Sequence, residues 1–554
     1  MFGWRGAAKI LAAVNPSYGG AAIRTRSLLI YFLLALALGF CLLPWRYFIG
    51  PDGAYYARVG ENIFRGWGIV LNAGEPYTDH PPLYPFLIGL ANLFFKNLEF
   101  SGHFVSILAF ALGVIPVVLI ARTVYSEQAA RWAGLLYSTH GFLLLHSLLV
   151  GTDSLFTLFV LTHLYLNLKI IRGEKGQIPL GAASGVLSGL AFLTRPEAIL
   201  FYGTGSLGIL LLGKRSYRAF FISLAVFLGF LVPQLSFIYK NTHRLQWSTI
   251  VAKNLIERQI DTAFPGGYLK GKKFREGLTE DKTDLRLNEL VKNFNGVEIF
   301  TRDHFALLKT GLRTPFDRLL DLNKYLFLGV GAILVAVGFL GPPWNPGRSR
   351  MEFLFFLYLL TFAPKFFGLF TSRYFFPYLP VFLIWTGNGA AFLKDWVEER
   401  LGPENSKAGR TVGVILIVFF AVFSAAYLSD KIRHIPMPYE ERDFGWWIKD
   451  QIPGIQEEYV ASQSPAVSFY SGSKILRLPY AGSLEDLKTY LKHKKARYFV
   501  VNENDHSIYQ EAYGFLLDET KPPPEGLIRR HATKAGKKIM LYEIADWAGR
   551  DSSG

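Results

Sequence analysis

The sequence predicts an α-helical polytopic membrane protein of about eleven spans, followed by a small α/β domain. Three observations carry this. Of 554 residues, 51% are apolar and only 18% charged, where a soluble chain carries nearer a quarter charged; the mean hydropathy is +0.24. Uninterrupted apolar stretches of roughly twenty residues recur along most of the chain. Beyond residue 456 the pattern changes to short strand-like runs alternating with helical ones. Disorder, a collagen-like fibre and a disulfide-rich scaffold are excluded, and the single cysteine, Cys41, leaves no intrachain disulfide and no cysteine-based metal site.

The spans fall near 28–45, 102–121, 132–150, 154–171, 178–193, 197–213, 219–239, 322–341, 352–370, 374–393 and 411–429. The first lies too far from the N-terminus, and lacks too clearly a small-residue cleavage site, to be a removed signal peptide. Lys and Arg concentrate in alternate connections (Arg5 to Arg26; Arg122 and Arg131; Arg172 and Lys175; Lys214 to Arg218; Arg348 and Arg350; Lys394 to Arg410), which the positive-inside rule places in the cytoplasm. The net charge of +16 then belongs with anionic lipid rather than with nucleic acid. An odd number of spans puts the C-terminus outside. The chain divides into a cytoplasmic segment 1–27, a transmembrane region 28–240 with an outer loop 46–101, an outer loop 241–321, a second transmembrane region 322–429 and an extracytoplasmic domain 430–554.

Within the outer segments, 54–66 and 82–95 read as helices lying on the membrane, with Trp67, Tyr77 and Tyr84 suited to its interface. Residues 245–320, with a basic stretch at Lys270 to Arg275 and a helix-like run 283–294, read as a long surface loop that could act as a lid. Strand-like runs at 459–462, 475–480, 498–502 and 539–544, with a helical run 483–492, make the terminal α/β domain. Gly181, Gly185 and Gly189, beside Ser184 and Ser188, form a small-residue face for close helix packing on the fifth span.

Ionisable residues at or in a bilayer are costly, so their placement is informative. Asp52, Asp79, His80, Asp153, Arg195, Glu197, Lys365 and Arg373 all fall at outer span ends or in the first outer loop. The ordinary readings are a helix cap for Asp153, a structural ion pair for Arg195 and Glu197 across Pro196, and interhelical hydrogen bonding for His103, His140, His146 and His163. Arg373 at that depth suits a lipid phosphate, of bulk lipid or of a substrate. A divalent metal shared by Asp52, Asp79, His80 and Asp153 is conceivable, but the spacing gives it no support; no cofactor is required.

The same residues carry a resemblance. Pro51-Asp52-Gly53-Ala54-Tyr55-Tyr56-Ala57, then Gly66-Trp67-Gly68, then Asp79-His80-Pro81-Pro82-Leu83-Tyr84-Pro85 is similar to the first outer loop of dolichyl-phosphate-mannose protein mannosyltransferases and their bacterial relatives, the aminoarabinose transferases that modify lipid A. Thr194 to Glu197 and Ser372 to Pro380 also match, in the right order between the right spans. The resemblance implies the C-type glycosyltransferase fold and transfer of a sugar from a polyprenyl phosphate, with inversion, to a lipid, glycan or protein acceptor at the extracytoplasmic face. By analogy Asp52 is the base and Asp153 a second acid. Arg373, His80 and Lys365 hold the donor phosphate, and Tyr55, Tyr56, Asp79, Arg195, Glu197 and Tyr84 support them. Two departures stand out: Gly53 replaces the Glu that follows the first Asp in many relatives, and His80 stands where aminoarabinose transferases tend to have Lys.

Such a chemistry needs few residues, because a phosphate leaves readily with cationic help and an acceptor hydroxyl needs one carboxylate base. The alternatives are a lipid or sugar transporter or flippase, against which the concentration of charge at one face argues, and a non-catalytic relative that binds the carrier lipid. The chain has no Asn-X-Ser/Thr sequon with X other than Pro, which favours a bacterial inner membrane over a glycosylating compartment.

Overall fold

The computed structural model describes residues 25–213, 216–243, 245–248, 329–341, 344–363, 372–401, 406–435, 437–478, 483–503, 514–533 and 536–545. Lys365, the basic stretch 270–275 and the helix-like run 283–294 lie outside these residues.

Where they are described, the expected apolar stretches are helical over most of their length. The order is Thr25–Leu42 (α1), Pro51–Phe64 (α2), Leu83–Phe95 (α3), Leu98–Val124 (α4), Glu127–Thr139 (α5), Gly141–Ser147 (α6), Asp153–Ile171 (α7), Gln177–Phe192 (α8), Ala198–Leu212 (α9), Tyr217–Thr242 (α10), Val330–Leu340 (α11), Pro346–Leu360 (α12), Leu379–Leu401 (α13) and Ser406–His434 (α14). Among the described residues, five helical segments are each long and apolar enough to cross a bilayer: Ser27–Arg46, Leu98–Val124, Asp153–Ile171, Tyr217–Thr242 and Lys407–His434. The third expected span is broken at His140, whose extended backbone separates α5 from α6. Gly141 follows the break, and a Cβ there would lie 2.8 Å from the Ser424 carbonyl of α14.

Local chemistry sets the helix ends. Asn97, Ser126 and Asn345 cap α4, α5 and α12 by accepting from the backbone N–H three residues on. Pro51 and Pro346 occupy first-turn positions where a missing N–H costs nothing. Arg46, buried at 3% exposure, donates at the C-terminal end of α14 to the carbonyl of Ile435 at 2.8 Å and to that of Lys431, which also accepts the Ile435 N–H. Arg348 does the same for α11, donating to Gly338 and Phe339 at 2.9 and 2.7 Å while pairing with Glu352 at 3.3 Å.

The small-residue face of α8 serves two neighbours. A Cβ on Gly181 or Gly185 would fall 2.5 Å from the Ala219 or Ser223 carbonyl of α10, so these glycines let the two backbones touch. Ser184 and Ser188 instead reach His163 on α7, at 2.9 and 2.8 Å, and Asn167 closes this buried network at 2.9 Å. Helices α2 and α3 lie in the segment expected as the first outer loop, close to their expected bounds. α3 leaves Phe86, Leu90, Leu93 and Phe94 exposed, an apolar face suited to a membrane surface.

Among its described residues the terminal domain has five strands, Tyr459–Ser462 (β1), Lys474–Arg477 (β2), Tyr498–Asn502 (β3), Leu527–Ala532 (β4) and Ile539–Ile544 (β5), in the order β2-β1-β3-β5-β4. β1 runs parallel to β2 and β3; β5 is antiparallel to β3 and β4. Alternation divides the core: Phe499 and Val501 join Leu487 and Leu491 of Leu484–His493 (α17), whereas Tyr498 and Val500 join Phe444 and Ile448 of Tyr439–Gln451 (α15). The result is an α/β sandwich with helices on both faces. The sequence reading missed β4, α15 and the short helix Pro465–Ser471 (α16). The domain rests on α2 and the α2–α3 connection. Asn72 both donates to and accepts from the backbone of Ile475 on β2, at 3.0 and 3.1 Å, and Arg58 donates to Ser473 O at 3.2 Å.

Candidate active site

α2 begins at Pro51, so Asp52 lies in its first turn, where the helix dipole favours a carboxylate. A short 3-10 turn, Ser372–Phe375, brings Arg373 to it, and Arg373 Nη1 donates to Asp52 Oδ2 at 2.9 Å. The pair is not sealed, with side chains 41% and 39% exposed. Arg373 Nε is buried and has no hydrogen-bond partner among the described residues, so the guanidinium retains donor capacity for an anion. Burial pushes the Asp52 carboxyl up, but Arg373, followed by His80 and Arg195, outweighs it and holds the group below its ordinary value.

Behind this pair is a second, drier one. Arg195 pairs with Asp153 and, at 2.8 Å, with Glu197; the three side chains are 13%, 10% and 19% exposed. The expected Arg195–Glu197 pair is therefore part of a triad. Asp153 is the first residue of α7 rather than its cap, Thr152 holding that position, and its carboxylate is turned to Arg195. Tyr374 joins the two layers, its ring centroid 5.6 Å from the Arg195 guanidinium and 6.0 Å from that of Arg373. Arg195, Glu197, Phe156, Phe201, Tyr374 and Tyr378 line a small pocket beside the triad.

His80 lies on the other flank. Its Nδ1 is 2.6 Å from the Tyr77 hydroxyl. Burial pushes the imidazole below its ordinary value, and the nearby Asp52 and Asp79 offset this only in part, so the ring is neutral at neutral pH and lacks the charge expected of a phosphate cation. Tyr56 packs edge-on between His80 and Tyr84 at 5.1 and 5.3 Å, and Tyr84 is tied to α4 through Ser106 Oγ at 2.6 Å. Tyr55 stacks on Tyr77 at 6.2 Å, and the Asp79 carbonyl accepts from Ser248 at 2.6 Å. Tyr56 and Tyr77 thus flank His80, with Tyr84 packed on the first and Tyr55 on the second, as an aromatic wall.

Gly53 is explained by space. A Cβ there would meet Val150 Cβ at 2.9 Å and both Ile49 Cγ1 and the Val150 carbonyl at 3.0 Å, so a second carboxylate beside Asp52 would displace the segment leading into α7. Among the described residues no three His, Cys, Asp or Glu side chains lie close enough together to hold a metal ion. Sequence reasoning gave Tyr374 and Tyr77 no part in the site; Tyr77, expected at the membrane interface, is instead buried against His80. Tyr374 was signalled only by its place next to Arg373.

Bundled helices carrying a charged face beneath an α/β domain define the class, a polytopic membrane protein of the C-type glycosyltransferase fold. The chain aligns with the archaeal oligosaccharyltransferase AglB from Archaeoglobus fulgidus, in complex with an inhibitory peptide and a dolichol-phosphate, at TM-score 0.61 and 13% identity over 88% of this chain and 71% of that one. It aligns with ArnT from Cupriavidus metallidurans bound to undecaprenyl phosphate at TM-score 0.57 and 13% identity, over 95% of this chain and 100% of that one. Residues 79–238 match the dolichyl-phosphate-mannose-protein mannosyltransferase family, in agreement with the resemblance read from the sequence. No curated protein matches the chain by sequence.

Proposed function

We propose that this protein is a membrane glycosyltransferase that takes a sugar from a polyprenyl-phosphate donor and passes it, with inversion, to an acceptor hydroxyl at the extracytoplasmic face of a bacterial inner membrane. The observation that carries the reading is the half-exposed Asp52–Arg373 pair, which offers a base and a phosphate-binding cation side by side. The family match and the polyprenyl phosphates held by the structurally similar AglB and ArnT support the donor class. The acceptor is a lipid, a glycan or a protein.

In this reading the donor phosphate meets the exposed end of the Arg373 guanidinium and draws it from Asp52, and the Nε–H becomes available to it as the side chain shifts. Losing its main neutralising cation, Asp52 gains proton affinity and becomes a better base at the moment the donor is bound. The acceptor oxygen attacks the anomeric carbon opposite the phosphate, and the new carbon–oxygen bond forms as the carbon–phosphate-oxygen bond breaks. The electron pair leaves on the phosphate, stabilised by Arg373, and the hydroxyl proton goes to Asp52. Asp153, held by Arg195, shapes the base site by fixing the layer under Tyr374 and Arg373. His80 contributes a neutral hydrogen-bonding edge to the aromatic wall.

The test is release of polyprenyl phosphate and labelling of acceptor by purified protein in lipid nanodiscs, supplied with a panel of undecaprenyl-phosphate sugars. Turnover on at least one donor that is lost in Asp52→Asn supports the assignment. Full activity in that variant, or failure of the wild type to bind undecaprenyl phosphate at all, overturns it.

A further inference from the structure

Among the side chains that the terminal domain packs against the entry to α2, one hydrogen-bonds to its backbone. Tyr470, at 6% exposure, lies on α16, and its hydroxyl accepts from the Ile49 N–H at 2.9 Å while donating to Glu99 Oε1 at the start of α4 at 2.6 Å. Ile49 is fully buried and Glu99 is 7% exposed, so both bonds are dry and replacing either with water is disfavoured. The ring is held as well. It packs on Phe48 with centroids 5.8 Å apart, and Gly445 of α15 comes so close that a Cβ there would lie 2.7 Å from Tyr470 Cβ.

What this fixes is the entry to α2. Gly50 is its N-cap and Pro51 has no N–H, so the Ile49 amide is the nearest anchored donor before Asp52. Upstream, Arg46 is tied to the end of α14. The five residues leading into the catalytic helix are therefore pinned at one end by the last span and at the other by the terminal domain. Nothing within α1 or α2 supplies either bond.

We propose that Tyr470 is a positioning residue for Asp52, through which docking of the terminal domain sets the start of α2 and hence the placement of the carboxylate against the acceptor hydroxyl. The proposal rests on Asp52 being the base. A displacement on the order of 1 Å at a reacting group costs up to about a hundredfold in rate, and a group that acts only through Asp52 affects kcat rather than donor binding.

The experiment uses full-length Tyr470→Phe, which removes only the hydroxyl. Hydrogen–deuterium exchange of the peptide containing Ile49 is measured alongside turnover of an undecaprenyl-phosphate sugar and affinity for undecaprenyl phosphate. Support is exchange at Ile49 faster by about tenfold or more, with kcat lower by about ten- to a hundredfold and both KM and the lipid affinity nearly unchanged. Glu99→Gln, which keeps an acceptor for the hydroxyl, gives a smaller loss in the same two readouts and serves if Tyr470→Phe does not fold. Unaltered exchange with unaltered kcat overturns the proposal; so does a parallel fall in kcat, affinity and melting temperature, the signature of a purely structural residue. Absence of turnover in the wild type would instead defeat the transferase reading, while the exchange arm would still report whether Tyr470 fixes the entry to α2.

Discussion

Arg373 and Asp52 meet at 2.9 Å although 321 residues separate them. Two separate parts of the helical bundle must therefore be in register before the carboxylate has its partner. The pair is open enough for an anion to compete for the guanidinium, and this makes the two residues separable by mutation.

Asp52→Asn preserves shape and most hydrogen bonding at the start of α2. Transfer is expected to fall by about a hundredfold or more, the range for loss of a general base, with affinity for undecaprenyl phosphate retained or raised because Arg373 is freed. Arg373→Ala is expected to do the converse. Affinity falls by about ten- to a hundredfold, matching loss of a charge-assisted contact of about 1.5–3 kcal/mol, and Lys at this position recovers only part because it lacks the fork. Lipid binding by calorimetry and turnover on the same preparations decide both.

The pH dependence has a definite sign. Burial raises Asp52, but Arg373 above all lowers it further, so the folded carboxyl titrates below the unfolded value of about 3.9. Its stabilisation is fully present above that value and is lost as pH falls through the folded one; with both side chains about two-fifths exposed it amounts to less than about 1 kcal/mol. The acid limb of kcat/KM, which reports the free enzyme, is expected below the usual carboxylate range and is expected to move upward in Arg373→Ala. An unmoved limb would assign the titration to another group.

His80 supplies a contrasting case. Burial holds its imidazole below the ordinary value of about 6.5, so His80→Gln is expected to change undecaprenyl phosphate affinity by less than about threefold at neutral pH and to leave the shape of its pH dependence, which the phosphate's own second ionisation at about pH 6 sets, unaltered. A rise in affinity toward pH 6 that His80→Gln abolishes would restore His80 to the phosphate site.

The spans were legible because a bilayer demands long apolar runs, and the close-packing face of α8 because only small residues permit such contact, though its partner α10 was not. The charged face was legible because charge near lipid is costly. What could not be read was pairing across distance. Arg195 has Glu197 two residues away, and that neighbour was found; its other partner, Asp153, is 42 positions distant and carried the marks of a helix cap. Tyr470 had no signal at all, since a tyrosine in a strand-and-helix domain is usually core, and its two bonds exist only once that domain docks. The break at His140 escaped because the apolar pattern continues through it.

Gly53 gives the last prediction. Many relatives of the resembling family carry Glu at this position, so Gly53→Glu would seem to restore a paired carboxylate and improve catalysis. The structure argues otherwise. The space for a Cβ is bounded at 2.9–3.0 Å by Val150 Cβ, Ile49 Cγ1 and the Val150 carbonyl, one of them backbone and two of them buried side chains that cannot swing clear. Even Gly53→Ala must therefore shift α2 away from the segment leading into α7, at a cost of about 1–3 kcal/mol for an overpacked site, set against the few tenths to one that alanine gains over glycine in a helix. The expected outcome is a lower melting temperature for Gly53→Ala and a larger drop for Gly53→Glu, with turnover falling in both because Asp52 moves with its helix. Thermal unfolding in nanodiscs together with steady-state rates checks this, and a Glu variant as stable and as active as the wild type would mean that α2 and the Val150 segment can separate freely.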